Sequence, residues 1–153
     1  MTSISNQKKI VIYTDGSCDK NPGPGGWAAI IRQGADEEIL TGFVPDSTNN
    51  RMELTAALKA LSHLEESSQI ALYTDSEYLK RGISEWMPNW RARNWKRKGG
   101  KLANVDLWKA LDKAIDRHNI DWHWVKGHAG NRLNQRVDRL AKNAMKKRIA
   151  RTG

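Results

Sequence analysis

Two stretches of the chain read almost alike: IVIYTD at residues 10–15 and IALYTD at residues 70–75. Each is an apolar run rich in β-branched and aromatic side chains, the composition of a strand that crosses a core. Each closes on a carboxylate, Asp15 or Asp75. Between them lies RMELTAALKALSHLEE, which sets Met52, Ala56, Leu58, Leu61 and Leu64 near helical spacing behind the capping side chains of STNN. A strand reached through a helix fits a crossover into parallel pairing, here beside the first strand. The fold is thereby asked to bring two rigid strand ends, and two acids, next to each other.

The remaining pattern fits around that pair. NPGPGG at residues 21–26 reads as a turn, and WAAIIRQ and EEILTGFV, joined by Gly34-Ala35-Asp36, extend the first strand into a meander. EYLKRGISEW and VDLWKALDKAIDRH are helix-compatible. IDWHWV alternates Ile120, Trp122 and Trp124 as a half-buried strand, and a last helix is predicted over about Asn134–Ile149. The order β-β-β-α-β-α-α-β-α describes one α/β domain: a single five-stranded mixed sheet, strands 1–3 an antiparallel meander and strands 4 and 5 parallel additions, with helices on both faces. The expected organisation is a tail at 1–7, the domain at 8–146 and a basic tail at 147–153.

In open α/β sheets, ligands bind beyond the carboxyl ends of the strands. Asp15 and Asp75 side by side would repel, and one would stay protonated unless a cation neutralised them. Mg²⁺ or Mn²⁺, hard ions that prefer oxygen, suit the task. Glu53, early in the first helix, can tip toward the same end, although alone it reads as a solvent-facing or capping residue. Asp138 sits among Val137, Leu140 and Ala141, and alone it reads as an ion pair with Arg136, Arg139 or Lys142.

Charge and composition narrow the partners. The 153 residues carry a formal net charge of +9, which favours a polyanion through counterion release. Arg91, Arg93, Lys96, Arg97, Lys98 and Lys101 surround Trp86, Trp90 and Trp95, whose spacing turns part of the set inward. The lone Cys18 allows no internal disulfide, and no run approaches the ~18 apolar residues of a membrane span. With no signal-like N-terminus, a soluble, cytoplasmic protein is expected, a monomer without an obligate protein partner.

TDGSCDKNPGPGGWA, TNNRMELTAAL, YTDSEYLKRGI, NVDLW and WVKGHAGNRLNQRVDRLA, in that order, resemble the bacterial type 1 ribonucleases H over roughly residues 8–146. The resemblance implies a ribonuclease H-like fold and an endonuclease that hydrolyses the RNA strand of RNA–DNA hybrids, leaving 5′-phosphate and 3′-hydroxyl ends. It implies two Mg²⁺ or Mn²⁺ ions held by Asp15, Glu53, Asp75 and Asp138, with Asp15 bridging them, and His128 assisting proton transfer or product departure. It also implies a hybrid-binding surface. Cys18, Asn21, Asn49 and the position of Glu77 line the minor groove, where the 2′-hydroxyl distinguishes RNA from DNA. Thr48, Asn49 and Arg51 form a phosphate pocket. Trp86, Trp90, Arg91, Arg93, Trp95, Lys96, Arg97, Lys98 and Lys101 grip the DNA strand, and Asn134 joins the substrate contacts.

Two positions depart from the family pattern: Glu77 stands where glutamine is common, and Gln135 where glutamate is common near the last aspartate. An ionised Glu77 accepts hydrogen bonds but donates none, and it adds negative charge beside a polyanion. Two other functions fit less well. A nuclease for DNA junctions is opposed by NVDLW and the tryptophan-rich basic segment. A hybrid-binding module without catalysis gains nothing from four acids.

Overall fold

The computed structural model describes residues 9–96, 102–126 and 131–152, with side chains described up to residue 146. Five strands, β1 (Ile10–Cys18), β2 (Gly23–Gln33), β3 (Asp36–Ser47), β4 (Gln69–Thr74) and β5 (Asn119–Trp124), form one sheet in the order β3-β2-β1-β4-β5. β1, β2 and β3 are antiparallel neighbours, with β2 and β3 joined through a tight hairpin at Gly34 (φ 62°). β4 joins β1 in parallel, and β5 joins β4 in parallel. This is the mixed sheet that the sequence predicts.

Period-two alternation sends side chains to two cores. On one face Ile10, Ile12, Ala29, Ile31, Ile70 and Leu72 pack against α1 (Asn49–His63) and α4 (Val105–Asp116). On the other, Tyr13, Ala28 and Ile30 pack against Val137 and Ala141 of α5 (Arg132–Thr152). Burial of a full aliphatic side chain stabilises by roughly 1.5–3 kcal/mol, so this double core carries most of the fold.

Several boundaries differ from expectation, each for a physical reason. The glycine-rich segment that reads as a turn is already strand from Gly23, because a Cβ at Gly25 or Gly26 would strike Met52 or α5 and glycine lets the strand pass between them. α5 starts at Arg132 rather than Asn134, since Asn131 caps it by accepting the N–H groups of Leu133 and Asn134 at 3.0 and 3.1 Å. The segment after β4 is one broken rod. α2 (Glu77–Arg81) runs through a π turn at Gly82–Trp86, where the Met87 N–H bonds the Gly82 carbonyl, into α3 (Met87–Ala92). The wider turn lets Gly82 lie against the Trp108 ring, in space a Cβ would occupy.

Candidate active site

The parallel pairing of β1 and β4 ends at Tyr13 and Tyr73. β4 stops one residue later, and Asp75 comes directly after it. β1 does not stop. It stays hydrogen-bonded to β2 through Cys18, so Asp15 lies inside a strand rather than at its end. Asp15 is buried, and the fork between β1 and β4 gives its side chain an opening.

Two glycines bring the other acids in. A Cβ on Gly16 would stand 2.4 Å from the Met52 carbonyl carbon and 2.5 Å from the Glu53 nitrogen, so the first turn of α1 can touch β1 only because Gly16 has none. Thr48 caps that helix, accepting the Arg51 N–H at 3.2 Å, and fixes where Glu53 emerges. A Cβ on Gly26 would stand 2.4 Å from the Ala141 carbonyl oxygen, so α5 seats directly on β2 with Asp138 on its inner side.

The outcome is a carboxylate cluster. Ligand oxygens of Asp15, Glu53 and Asp75 all lie within 4.8 Å of one another. Asp138 lies near enough to Asp15 to raise its carboxyl and also meets Lys142 Nζ at 3.1 Å, so it keeps its helical ion pair beside the cluster. Burial foremost, then the Asp75 charge, then the neighbouring Asp138 carboxyl, push the Asp15 carboxyl up to about 9. Burial also raises Glu53 to about 7, against a hydrogen bond from Ser76 that favours its charged form. Carboxyls forced to keep protons at neutral pH mark a site lacking positive charge. An all-oxygen donor set of this kind fits hard divalent cations such as Mg²⁺ and Mn²⁺.

The groove residues divide into groups. Cys18 points its thiol at the carbonyls of Lys20, Gly23 and Ser47, and the Asn49 N–H donates to Asn21 Oδ1 at 3.2 Å. Cys18, Asn21, Thr48 and Asn49 therefore form one patch around the start of α1. Arg51 is turned to a different partner: its guanidinium forks onto Asp106 at 2.8 and 3.0 Å and reaches Asn104 Oδ1 at 3.1 Å. Glu77 is exposed at the first position of α2.

Trp86 and Trp90 pack against the buried Trp108 and against each other, and Trp95 packs on Trp90, with ring centroids 5.5–6.5 Å apart. Trp86 and Trp90 with Tyr78, Leu102 and Ala103 line a cavity of about 370 Å³. Arg93 and Lys96 are exposed, and Arg91 is paired with Asp112 of α4. Asn134 is buried, and its Oδ1 has no hydrogen-bond partner. His128, Arg97, Lys98 and Lys101 lie outside the described residues.

Sequence reasoning passed over Ser76 and Asn131. Ser76 caps α2, accepting the Leu79 N–H at 3.0 Å, and its side chain favours the charged form of Glu53. Asn131 caps α5 and donates to the Tyr13 hydroxyl at 3.2 Å. Both stand immediately before an amphipathic segment, which is the available signal.

A five-stranded mixed sheet with three carboxylates gathered at the fork of its central parallel pair, and a fourth brought near by the last helix, defines a site of the divalent-metal-binding class. The RNase H family model matches residues 7–146. A ribonuclease H of Hahella chejuensis is 52% identical over 147 residues, covering 95% of this chain and 99% of that one. A ribonuclease H of Xanthomonas oryzae pv. oryzae is 56% identical over 137 residues, covering 89% and 91%. Among solved structures, LC9-RNase H1, described as a type 1 RNase H with the type 2 active-site motif, superposes with a TM-score of 0.83 at 29% identity, covering 92% of this chain and 74% of that one. The chain belongs to the RNase H family and is an enzyme of that family.

Proposed function

We propose that this protein is an endonuclease that hydrolyses the RNA strand of RNA–DNA hybrids, leaving 5′-phosphate and 3′-hydroxyl ends. The observation that carries the reading is the cluster of Asp15, Glu53 and Asp75, with ligand oxygens within 4.8 Å, in a chain of this family. Asp15, Glu53, Asp75 and Asp138 would hold two Mg²⁺ or Mn²⁺ ions, with Asp15 shared. Such ions make an attacking water more basic and stabilise the added negative charge on phosphorus and on the departing 3′ oxygen.

The chain's own contribution is placement. β1 holds Asp15 in place through its pairing with β2, which runs from Val11 to Cys18, while pairing with β4 ends at Tyr13 and leaves the carboxylate its opening. Ser76 orients Glu53. His128 moves a proton to or from the departing oxygen or eases product departure, a role that suits an imidazole near neutral pH.

The Cys18–Asn21–Thr48–Asn49 patch faces the minor groove, where asparagine can both donate to and accept from a 2′-hydroxyl. Glu77 and Asn134 complete the contacts to the sugar and base edges. Arg51, braced by Asp106 and Asn104, completes a phosphate pocket with Thr48 and Asn49. Trp86, Trp90 and Trp95 offer flat faces to the DNA sugars, while Arg91, Arg93, Lys96, Arg97, Lys98 and Lys101 meet phosphates. The working unit is residues 8–146, flanked by 1–7 and the basic 147–153, a cytoplasmic monomer with no obligate partner. Among the described residues, no helix is long and apolar enough to cross a membrane.

The test is cleavage of labelled RNA–DNA hybrid, double-stranded RNA and double-stranded DNA in Mg²⁺, Mn²⁺ or EDTA. Hybrid is cut with either metal, and the cutting disappears in EDTA and in Asp15→Asn. Binding of hybrid without cleavage under both metals would overturn the reading.

A further inference from the structure

Asp138 is the one acid of the four carried by the last helix, which packs on the other face of the sheet from α1. Its side chain has two competing partners, Asp15 across the site and Lys142 one turn along α5. Something must fix α5 against β1 if Asp138 is to meet Asp15 reproducibly.

The Tyr13 hydroxyl is placed to do this. Tyr13 lies two residues before Asp15 on the same face of β1, and it is buried, packed with Val137 and Ala141 of α5. Its ring cannot swing. It stacks on Tyr73 of β4 at 4.6 Å between centroids and 7° between planes, and Tyr73 stacks in turn on His123 of β5 at 4.4 Å and 14°. The three residues are in register across the parallel strands. The hydroxyl at the tip accepts a hydrogen bond from Asn131 Nδ2 at 3.2 Å. Asn131 Oδ1 accepts the first free N–H groups of α5, and the Asn131 carbonyl accepts the Gln135 N–H at 3.0 Å.

One asparagine thus uses one end of its amide to start the helix and the other to tie that start to the strand. The connection closes a circuit. Asp15 runs along β1 to Tyr13, across the hydrogen bond to Asn131, down α5 to Asp138, and across the narrow space between the two carboxyls back to Asp15. α5 has another anchor, the Arg136 fork onto Glu37 of β3 at 2.6 and 2.9 Å, but that pair is solvent-exposed and on the far side of β2 from the site. Exposed pairs of this kind contribute little positional rigidity.

We propose that Tyr13 and Asn131 are positioning residues that set Asp138 against Asp15 and so tune the site's affinity for divalent cations. The proposal rests on the function proposed above, for it deepens the reading of the same four acids. Residues behind a metal's ligands commonly change affinity by ~10-fold or more when removed.

The test uses Tyr13→Phe, which deletes only the hydroxyl, and Asn131→Ser, which keeps a capping oxygen but is too short to reach Tyr13. Mn²⁺ is titrated calorimetrically into each protein without nucleic acid, beside unfolding in EDTA and hybrid cleavage at saturating metal. Each variant is expected to bind Mn²⁺ about tenfold more weakly and to lower kcat while leaving the KM for hybrid unchanged. The double variant is expected to be no worse than either single one, because both break the same bond. Wild-type Mn²⁺ affinity in both variants would overturn the proposal, whatever their melting temperatures, and would leave the nuclease reading standing. Failure of the wild-type protein itself to bind Mn²⁺ and cut hybrid would overturn that reading and the proposal together. If Tyr13→Phe fails to fold, Asn131→Ser alone decides between these outcomes.

Discussion

The two YTD segments share three letters and differ in almost everything else. In β1 the aspartate precedes Gly-Ser-Cys, and the strand continues because β2 is there to pair with it. In β4 the aspartate precedes Ser76, whose side chain caps a helix, and the strand ends at Thr74. Asp15 is consequently buried and Asp75 half-buried. The same tripeptide yields one acid locked inside a sheet and one held at its lip. The residues just after such a carboxylate, pairing strand or capping serine, decide how much of its charge the fold must compensate.

The largest expected effect separates the two acids by function and stability together. Asp15→Asn and Asp75→Asn should each lower hybrid cleavage by at least about 10³-fold, by analogy with loss of a principal charge-stabilising group. Only Asp15→Asn should also stabilise the metal-free protein appreciably, on the order of 2 kcal/mol or roughly 5 °C at pH 7.5, because it removes a buried group that resists ionisation. Thermal unfolding in EDTA checks this. Equal stabilisation by both variants would erase the distinction.

The same asymmetry predicts a pH dependence. An unfolded aspartate ionises near ~3.9 and a glutamate near ~4.3. Asp15 at about 9 and Glu53 at about 7 are both raised in the fold, so the folded state holds more protons than the unfolded chain across that interval. Their contribution to stability is complete below pH ~4 and is lost as pH rises through about 7 and then about 9. Without metal, the melting temperature should fall as pH rises over that interval. Millimolar Mg²⁺ should flatten the slope by binding the ionised acids of the folded state.

Next in size is the glycine that distinguishes the first segment. Gly16→Ala places a methyl group inside contact distance of α1 backbone, which cannot yield as a side-chain tip would. A loss of about 1–3 kcal/mol is expected. The counterpart in the second segment, Ser76→Ala, removes the cap of α2 and should cost about 1 kcal/mol. Urea unfolding of the two variants ranks them, and a larger loss in Ser76→Ala would reverse the comparison.

The contrast between the segments also marks where local sequence stops being informative. Apolar runs and a helix between them are enough for strand order, since a crossover leaves few choices. The four acids are legible through their motifs. That β1 runs on past Asp15 is not, because it depends on Gly25 and Gly26 being thin enough for α1 and α5 to close over β2. Gly-rich and Pro-rich letters look like a turn in isolation and become strand only in a tertiary setting. The π turn at Gly82 is likewise a response to the bulk of Trp108, which is distant in the chain. The Asn131 link to Tyr13 spans 118 positions, and nothing local in either residue announces it.

The smallest effect concerns Glu77, one residue beyond the serine that closes the second YTD. It is exposed at the first position of α2, where a negative charge favours the helix dipole but opposes a phosphate backbone. Glu77→Gln removes the charge and restores a donor able to meet a sugar hydroxyl or base edge. Hybrid affinity should rise about two- to fivefold, the scale of one exposed charge at moderate salt, and the gain should shrink as salt screens it. Melting temperature should fall slightly through the lost helix-dipole contact. Affinity measured at two salt concentrations decides the matter. A gain that persists at high salt would assign the effect to the new amide donor, and unchanged or weaker binding would show that the second segment tolerates its extra acid because the substrate passes it by.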